Sequence, residues 1–402
     1  MVEPNRLRET DKLWTLDFVF GILAYFFLYL SISLFFILPL YLKQFNPRTS
    51  QVGLIMGIHS VTAILIRPFF GRQIDRRGGK KISILGLLIL ISVVPFFHLV
   101  RDAGSLPVIL RAITGLGWGI SMTANIAMCT DLAPVESVAR SIGLVGVAGL
   151  IANAVGPSLG EEIINRWGFP WLVNSALFFL VLSLILVLVI KELPRDVPVE
   201  EVTSGREKRW KNTAWLVLIF IGLMPVVHGS VRGAMIYFMP LLVSSLRLGR
   251  VGPFFIVFSV AAILSRFRLG GVSDQYGRKK IVFISALLIG FNLILISRIN
   301  SQWLLLTTGF LGGLGQGIIF PALSAYLIDF MGRGNKGLAI SLYNSLFDVG
   351  MGLGSIFYGW VSEMIGLKQM YLAAGLLLLV VNFIFNFIAP EPGLSGKKCR
   401  QE

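Results

Sequence analysis

The chain has 402 residues, of which 55% are apolar and 14% are charged, whereas soluble domains carry about 25% charged residues. Together with a mean hydropathy of +0.78, this composition excludes a soluble enzyme, a disordered protein and a disulfide-stapled secreted domain. The formal net charge of +15 is compatible with a nucleic-acid partner, but the positions of the charges along the chain argue against one.

Twelve apolar stretches are each long enough, at about 20 residues, to cross a hydrocarbon core of about 30 Å. Open strands cannot satisfy their backbone groups in lipid, so every stretch is predicted to be a helix. The predicted spans are 16–40, 51–70, 82–100, 106–129, 140–162, 169–190, 213–240, 251–269, 281–297, 303–328, 337–362 and 369–389. The sequence therefore predicts an all-α integral membrane protein with twelve transmembrane helices in a lipid bilayer.

The basic residues are distributed unevenly between the two sides of the membrane. If the spans are numbered from a cytoplasmic N-terminus, 26 of the 36 Lys and Arg residues lie on the cytoplasmic side and 8 on the other. This bias is the positive-inside signature, so we expect a cell-membrane protein with both termini cytoplasmic and no nucleic-acid partner. The two cysteines, Cys129 and Cys399, lie at or near the reducing side and require no disulfide. No metal-ligand spacing occurs, and we expect no cofactor.

A polar segment at 191–212 divides the twelve spans six and six. It predicts an N-terminal six-helix bundle at 1–190, a cytoplasmic central loop, and a C-terminal bundle with a short tail at 213–402. Identical residues recur in the two halves at an offset of 198 or 199, as in Arg67 and Arg266, Gly71 and Gly270, Asp75 and Asp274, and Asp131 and Asp329. Because each half has an even number of spans, the halves are expected to share one orientation, related by an axis along the membrane normal.

Two glycine-rich basic segments, at 71–81 and 270–280, follow the second span of each half, and we call them the gate loops. The first combines glycines, an acid and a run of cations: Gly71, Asp75, Arg76, Gly78, Lys80 and Lys81. The second has a matching set: Gly270, Asp274, Gly277, Arg278, Lys279 and Lys280. Glycines allow close approach and tight turns. An acid among cations at helix ends can form pairs in one conformation and release them in another.

The gate loops resemble the best-known signature of the major facilitator superfamily, although Gly79 and Gln275 stand where basic residues are usual. The resemblance implies two six-helix bundles around a central cavity, with substrate near the midplane and alternating access as one bundle rocks against the other. It also implies that the gate loops, together with Asp131 and Asp329, latch the cytoplasmic gate when the transporter opens outward. The alternative interpretation is an ordinary positive-inside loop.

The fourth span begins with Arg111, followed four residues later by Gly115, which resembles the fourth-helix signature of the same superfamily. Trp118, Met122 and Asn125 follow at helical spacing and predict a mixed polar face that lines a cavity. An arginine inside a span costs at least ~2.5 kcal/mol unless it faces water or a partner. We therefore assign Arg111 to coupling or substrate binding. The alternatives are an arginine that holds backbone carbonyls or one that snorkels outward.

The fifth span carries small residues at Gly143, Ala152, Gly156 and Gly160, with Pro157 beside them. This pattern resembles the fifth-helix signature of drug–proton antiporters in the superfamily. Ala152 and Glu161 depart from it, because both stand where the signature prefers glycine. Small residues at these spacings form a groove for a neighbouring helix, and Pro157 bends its own helix. The alternative is helix packing without a specific function.

Several ionisable residues lie inside predicted spans and mark a candidate coupling or substrate site. Asp348 is near the middle of span eleven, and His228 and Arg232 are four residues apart on one face of span seven. We hypothesise that Asp348 is protonatable or pairs with Arg232. The alternatives are a fixed structural pair and a carboxylate that stabilises the neighbouring glycines. His228 is equally compatible with a titrating switch and with a satisfied core histidine.

Aromatic residues in four of the spans are candidates for the wall of the cavity: Tyr25, Tyr29, Trp118, Tyr237 and Phe347. Aromatic residues make up 12% of the chain, so most of them are expected to pack helices or to face lipid instead.

The sequence predicts a secondary active transporter, because no GxxxxGK[ST] nucleotide-binding loop is present. The fifth-span resemblance favours a proton-coupled exporter of small amphipathic compounds, and we expect it to be a monomer. The alternative is a symporter or uniporter of a small anionic metabolite, suggested by Arg111 and Arg232. An intramembrane enzyme is disfavoured because the three histidines, His59, His98 and His228, are scattered along the chain. A channel is disfavoured because the gate-like loops lie on one side only.

Overall fold

The structure is a computed structural model, and it describes residues 13–134, 137–191, 215–269, 272–331 and 336–391. The predicted central loop at 191–212 lies outside the described residues except for Lys191, as does the tail from residue 392.

Twelve long helices occupy the described residues and confirm the predicted all-α membrane fold. They are α1 (Leu16–Leu34), α2 (Thr49–Arg77), α3 (Gly79–Val93), α4 (Ser105–Asp131), α5 (Val138–Trp167), α6 (Phe169–Val189), α7 (Trp215–Ser245), α8 (Gly252–Leu269), α9 (Arg278–Ile296), α10 (Gln302–Met331), α11 (Lys336–Ile365) and α12 (Leu367–Ile388). A 3-10 turn at Phe35–Ile37 and a short helix at Leu38–Leu42 extend α1, and another short helix at Val272–Tyr276 precedes α9.

Within the described residues, eleven of these helices are long and apolar enough to cross a membrane, and α11 is the exception. Its middle carries Asn344, Asp348 and three closely spaced glycines, which lowers its hydropathy. The helix packs between α2 and α7. A polar helix in this position keeps its polar groups against protein instead of lipid, which is where intramembrane polar residues are tolerated.

The first gate loop is mostly helical, which corrects the predicted end of the second span. That span is predicted to stop at residue 70, but α2 continues to Arg77, so Gly71 and Asp75 lie on the helix. The turn consists of Gly78, whose φ is 89°, and α3 begins at the next residue. Gly277 repeats this geometry before α9 with a φ of 93°. Both turns use a backbone conformation that favours glycine.

Two helix pairs form most of the contact between the halves, α2 with α11 and α5 with α8. A Cβ placed on Gly53 of α2 would lie 2.6 Å from the backbone oxygen of Ser355 and 2.9 Å from the Cα of Gly359. A Cβ on Gly252 of α8 would lie 3.0 Å from the Cα of Ser158. The backbones therefore touch at these positions. We call this end of the molecule the opposite end, and the end that carries Gly78 and Gly277 the gate-loop end.

Toward the gate-loop end the halves move apart. A Cβ on Gly71 of α2 or on Gly143 of α5 would meet nothing within 4 Å. Two cross-half contacts lie between these glycines and the closed end: an ion pair between Arg67 and Asp348 and the approach of Arg266 to Gly146. The space between the halves is thus closed at the opposite end and opens toward the gate loops.

Candidate functional site

Arg67 of α2 and Asp348 of α11 form an ion pair across the two halves. Their side chains are 18% and 16% exposed, so the pair borders the open central space. A second nitrogen of Arg67 lies 3.5 Å from the sulfur of Met122 on α4. This geometry corrects the expected pairing of Asp348 with Arg232. In the sequence, the repeat of Arg67 as Arg266 is the feature that marks Arg67 as a candidate residue. A repeat does not indicate which residue of the other half each arginine contacts.

Arg232 of α7 instead lies over the ring of Phe258 on α8, with its guanidinium carbon 4.4 Å from the ring centre. It is 8% exposed. No ion pair or hydrogen bond of its guanidinium occurs among the described residues. A guanidinium stacked on an aromatic face keeps its N–H groups at the edge, where they are available to a ligand.

His228, one turn before Arg232, is fully buried with both ring nitrogens in contact with polar groups. Nε2 lies 2.8 Å from Oε1 of Gln316, and Nδ1 lies 3.1 Å from the hydroxyl of Tyr343. A neutral imidazole satisfies both contacts if Nε2 donates to Gln316 and Nδ1 accepts from Tyr343. This arrangement agrees with a satisfied core histidine, which was one of the two alternatives.

Arg111 of α4 is 1% exposed, so it does not snorkel to either membrane surface. Its Nε and Nη2 atoms are buried and have no hydrogen-bond partner, so these atoms do not hold backbone carbonyls either. The neighbouring polar groups are His59, whose Nδ1 lies 3.4 Å from the hydroxyl of Thr114, and Tyr237, with which Arg111 interacts electrostatically. Buried donors almost always have partners, and the two free nitrogens make Arg111 an exception that points to a ligand.

The predicted aromatic wall forms two clusters, one in each half. Tyr29 meets Trp118 edge to face, with ring centres 5.2 Å apart, and Tyr25 lies 6.0 Å from Tyr29. In the other half, Phe347 lies 5.0 Å from the ring of His228. Tyr237 contacts the N-terminal half instead, where its ring centre is 5.9 Å from that of Phe36. Of these residues, Tyr29 and Phe347 are partly exposed.

The predicted polar face of α4 does not line the space as a unit. Asn125 is fully buried, and its side-chain oxygen accepts a weak hydrogen bond from Cys129 at 3.6 Å. Gly115 packs against the backbone of α2 at His59 and against Thr62. Helical spacing places these residues near one another, but the tight packing of α4 on α2 takes Gly115 out of the cavity face.

The small residues of α5 form a groove for α1. Gly156 lies directly against Ser33, and a Cβ on Gly160 would lie 3.1 Å from the backbone oxygen of Leu34. The hydroxyl of Ser33 donates to the carbonyl of Ala152 at 2.9 Å. Pro157 lies inside the continuous helix α5. Gly143 takes no part in this groove, since the space around it is open.

Glu161, the residue that departs from the fifth-helix signature, joins the two halves at the opposite end. Its two carboxylate oxygens accept hydrogen bonds from the backbone N–H groups of Val251, at 2.9 Å, and Gly252, at 2.7 Å. These groups begin α8, where unpaired N–H donors and the helix dipole favour a negative charge. Glu161 is 6% exposed. The next residue, Glu162, forms ion pairs with Arg166 and Arg250. In the sequence, Glu161 is marked only by its departure from the signature, which indicates no role for it.

Two gate-loop cations, Arg278 and Lys80, contact groups of their own halves. Arg278 pairs with Asp329 at 2.9 Å and donates to the carbonyl of Ala325 at 2.6 Å. In the first half, Lys80 donates to the carbonyls of Leu188, at 2.9 Å, and Ile190, at 2.5 Å. These two carbonyls lie at the C-terminal end of α6, where a cation is favoured.

The remaining gate-loop positions lie on helix ends. Asp75 and Arg76 are exposed on the last turn of α2, Lys81 and Lys279 lie on the first turns of α3 and α9, and Asp131 ends α4. The side chain of Asp274 lies outside the described residues, as does Gly270. Gly79 explains the missing basic residue of the signature, because a Cβ there would lie 2.6 Å from the backbone oxygen of Ala124 on α4. Within the described part of the chain, no cluster of His, Cys, Asp and Glu could hold a metal ion.

Comparison with known proteins identifies the same architecture. The sequence profile described as Major Facilitator Superfamily matches residues 21–271 and, in a second match, 226–402. The chain is 23% identical over 372 residues to the staphylopine export protein of Staphylococcus aureus, covering 88% of this chain and 91% of that protein. It is 24% identical over 362 residues to the multidrug resistance protein MdtG of Salmonella choleraesuis, covering 87% and 89%.

Among solved structures, a bacterial homologue of the human lysosomal transporter Spinster, in an inward-facing and unoccupied conformation, superimposes with a TM-score of 0.76. The sequence identity is 13%, and the match covers 92% of this chain and 96% of that one. At this identity the likeness concerns the fold alone.

Proposed function

Because the chain belongs to the Major Facilitator Superfamily and is a multi-pass membrane transporter, not an enzyme, we propose that it is a proton-coupled exporter of small amphipathic compounds. The relatives support export, since one is named for the export of staphylopine and another for multidrug resistance. The fifth-helix groove of Gly156 and Gly160 against α1 also supports this class. We further propose that the protein acts as a monomer in the cell membrane with both termini cytoplasmic.

The observation that carries the proposal is the ion pair between Arg67 and Asp348, which joins α2 to α11 at the edge of the central space. Asp348 is the only described carboxylate more than about two turns from a helix end. Protonation of Asp348 removes its charge and leaves a weaker hydrogen bond from the Arg67 cation to a neutral carboxyl group. A proton that enters the space can therefore loosen the contact between the halves, which is the step that coupling requires.

In the proposed cycle, the arrangement described above is the state that takes up substrate from the cytoplasm. The central space opens at the gate-loop end, and the positive-inside bias supports an orientation with that end inside the cell. In this state Arg278 pairs with Asp329 within one half. On closure of the gate-loop end, the cations of the two gate loops approach carboxylates of the other half. The candidates are Asp75, Asp131, Asp274 and Asp329.

The test is proton movement in proteoliposomes that contain the pH dye pyranine and hold an outward-directed proton gradient. Two naphthalene probes are added, naphthalene-2-sulfonate and trimethyl-2-naphthylammonium, which share a ring and differ in charge. We expect one or both probes to accelerate proton exit through the wild-type protein. Asp348→Asn should abolish the acceleration, and Asp348→Glu should retain part of it. Unchanged coupling in Asp348→Asn would refute the role of Asp348.

A second candidate function is symport or uniport of a small anionic metabolite. It is favoured by Arg111 and Arg232, neither of which has a carboxylate partner among the described residues. The direction of proton movement distinguishes the two functions. An exporter moves protons against the substrate, a symporter moves them with it, and a uniporter leaves the pyranine signal unchanged.

A further inference from the structure

We infer that the transported compounds are amphipathic anions, whose carboxylate, sulfonate or phosphate group binds Arg232 and Arg111 while an aromatic or apolar part packs on the cluster of Tyr29 and Trp118. This inference names the substrate class and rests on the proposed transport function. It follows from the charge, the burial and the unused hydrogen-bonding capacity of side chains around the central space.

Positive charge exceeds negative charge in the middle of the molecule. Outside the gate loops, four described arginines on the long helices are buried or partly buried: Arg67, Arg111, Arg232 and Arg266. Asp348 pairs with Arg67, and none of the other three has a carboxylate partner among the described residues. A substrate that enters between the halves therefore meets three uncompensated cations. In a low-dielectric space these attract an anion and repel a cation.

The three arginines are held in ways that leave hydrogen-bond donors free. Arg232 lies over Phe258, and Arg266 lies over Phe320, 5.3 Å from the ring centre. The Nε of Arg266 is buried and has no partner. Arg111 has two such nitrogens. An aromatic face fixes a guanidinium without using its N–H groups, so these side chains are preorganised to accept an anion.

Their positions along the helices suggest an order of encounter. Arg266 lies near the gate-loop end of α8, Arg232 in the middle of α7, and Arg111 close to the opposite end of α4. An anion that enters from the gate-loop end thus passes Arg266, reaches Arg232, and lies nearest Arg111 at the closed end. Carboxylate, sulfonate and phosphate groups all match the planar fork of a guanidinium.

The aromatic residues provide for the rest of the substrate. The edge-to-face pair of Tyr29 and Trp118 lies in the N-terminal half, and Phe347 lies beside His228 in the C-terminal half. Since Tyr29 and Phe347 are partly exposed, a ring that enters the space has an apolar surface on both sides. A purely polar anion would leave these surfaces unused, so the structure favours an anion with an apolar part.

The test is the binding of the two naphthalene probes to purified wild-type protein, measured by isothermal titration calorimetry and by the shift of the unfolding temperature. A ligand that prefers the native state raises that temperature by mass action. We expect naphthalene-2-sulfonate to bind and to stabilise the protein, and trimethyl-2-naphthylammonium to do neither. Arg232→Gln should weaken sulfonate binding by about 10- to 100-fold, as expected for the loss of charge-assisted hydrogen bonds. Arg232→Lys should weaken it less.

Arg298→Gln is the matched control, because it removes the same charge from an exposed position at the opposite end and should leave binding unchanged. A variant that fails to fold is recognised from its unfolding curve without probe, and Arg111→Gln then provides the second test. Tighter binding of the ammonium probe, or unchanged sulfonate binding in both variants, would overturn the inference. Sulfonate binding without proton movement would support the anionic substrate class and refute proton coupling. Proton movement driven by the ammonium probe alone would support proton coupling and refute the anionic substrate class.

Discussion

The two interfaces between the halves are related by the internal repeat, but the least exposed carboxylate of each lies at a different end. Gly53 of α2 and Gly252 of α8 are 199 residues apart, and both touch the backbone of the facing helix at the opposite end. Arg67 and Arg266 have the same offset, and both contact the other half further toward the gate-loop end. The repeat has thus preserved the packing positions of both interfaces.

The acids do not follow the repeat. In the α2–α11 interface, Asp348 pairs with Arg67 beside the open space. The position 199 residues earlier in α5 is Gly149, and Arg266 approaches another glycine, Gly146. In the α5–α8 interface, the acid is Glu161, buried at the closed end. The α2–α11 interface therefore has its least exposed carboxylate toward the gate-loop end, whereas the α5–α8 interface has it at the closed end. At that closed end, α2 and α11 are joined only by the more exposed pair of Arg48 and Glu363 among the described ion pairs. This difference suggests that the α2–α11 interface responds to protons and the α5–α8 interface holds the opposite end closed.

The largest expected effect is that of Glu161→Ala, which removes the acceptor for two buried backbone N–H groups. Each hydrogen bond to a charged group contributes about 1.5–3 kcal/mol, so the closed opposite end should lose about 3 kcal/mol or more and open. Arg101 and Asn300 are exposed in equivalent loops at that end. Spin labels at these two positions report the opening as an increase in their separation, measured by pulsed electron paramagnetic resonance. Cys399→Ser provides the background, since Cys129 is buried.

Glu162→Ala is the control for Glu161, because Glu162 is 25% exposed and pairs with two arginines that are themselves more than half exposed. Such pairs contribute little, so this variant should keep the label separation close to that of the wild type. Labels at Arg77 and Tyr276, exposed in equivalent positions at the gate-loop end, should approach each other when Glu161 is replaced. If neither separation changes in Glu161→Ala, the proposed closing role is wrong.

The second effect compares Arg67 with its counterpart on the other interface. Arg67→Met leaves the carboxylate of Asp348 without its partner and should lower the free energy of unfolding by about 1–3 kcal/mol. Arg266→Met removes a cation that has no carboxylate partner among the described residues and should have a smaller effect. Thermal unfolding of the purified variants measures both.

A double variant isolates the ion pair itself. If the loss in Arg67→Met comes from the uncompensated charge of Asp348, adding Asp348→Asn should recover part of the stability. Equal losses in Arg67→Met and Arg266→Met, with no recovery in the double variant, would show that the two interfaces do not differ in the way that the ion pair indicates.

The third effect concerns the packing that the interfaces share. Gly53→Ala places a methyl group 2.6 Å from the backbone of α11, and neither backbone can yield without moving a helix. Overpacking of this kind costs about 1–3 kcal/mol. We expect the separation of the labels at Arg101 and Asn300 to increase. Gly71→Ala is the control on the same helix, because the space around Gly71 is open. If Gly53→Ala and Gly71→Ala change the label separation equally, the conclusion that the halves are closed at the opposite end is wrong.

Most of the fold could be predicted from the sequence, because a helix that crosses the hydrocarbon core must be apolar over about 20 residues. Stretches of membrane length predicted all twelve helices, although α11 is not apolar enough to count as a membrane span among the described residues. The repeat around Gly71 and Gly270 predicted the two halves. The predicted positions of the helix ends were less accurate, because α2 continues beyond the apolar stretch as a polar helix that ends at Arg77. Hydropathy detects the apolar part of a helix, whereas the helix itself ends where Gly78 adopts its left-handed φ.

The contacts of the candidate site could be predicted only in part. The arginines and Asp348 were recognised because charge inside a span is costly, but their partners depend on which helices of the two halves meet. Arg67 and Asp348 are 281 residues apart, and no local pattern joins them. Glu161 was noticed as a departure from a signature, yet its role depends on the start of α8, which lies against it only in the folded protein.

The smallest expected effect is that of Asp329→Asn, which removes the ion pair with Arg278 at the gate-loop end. The side chains are 22% and 23% exposed, and pairs of this kind contribute about 0.2–1 kcal/mol. Arg278 also keeps its hydrogen bond to the carbonyl of Ala325, which limits the loss further. Because this pair lies within one half and crosses neither interface, the labels at Arg101 and Asn300 should keep their separation.

The same substitution made together with Glu161→Ala tests the proposed latch, since the gate-loop end is then expected to be closed. If Asp329 pairs across the halves in that state, the double variant will show a wider separation of the labels at Arg77 and Tyr276 than Glu161→Ala alone. An unchanged separation would mean that the second gate loop acts within its own half in both states.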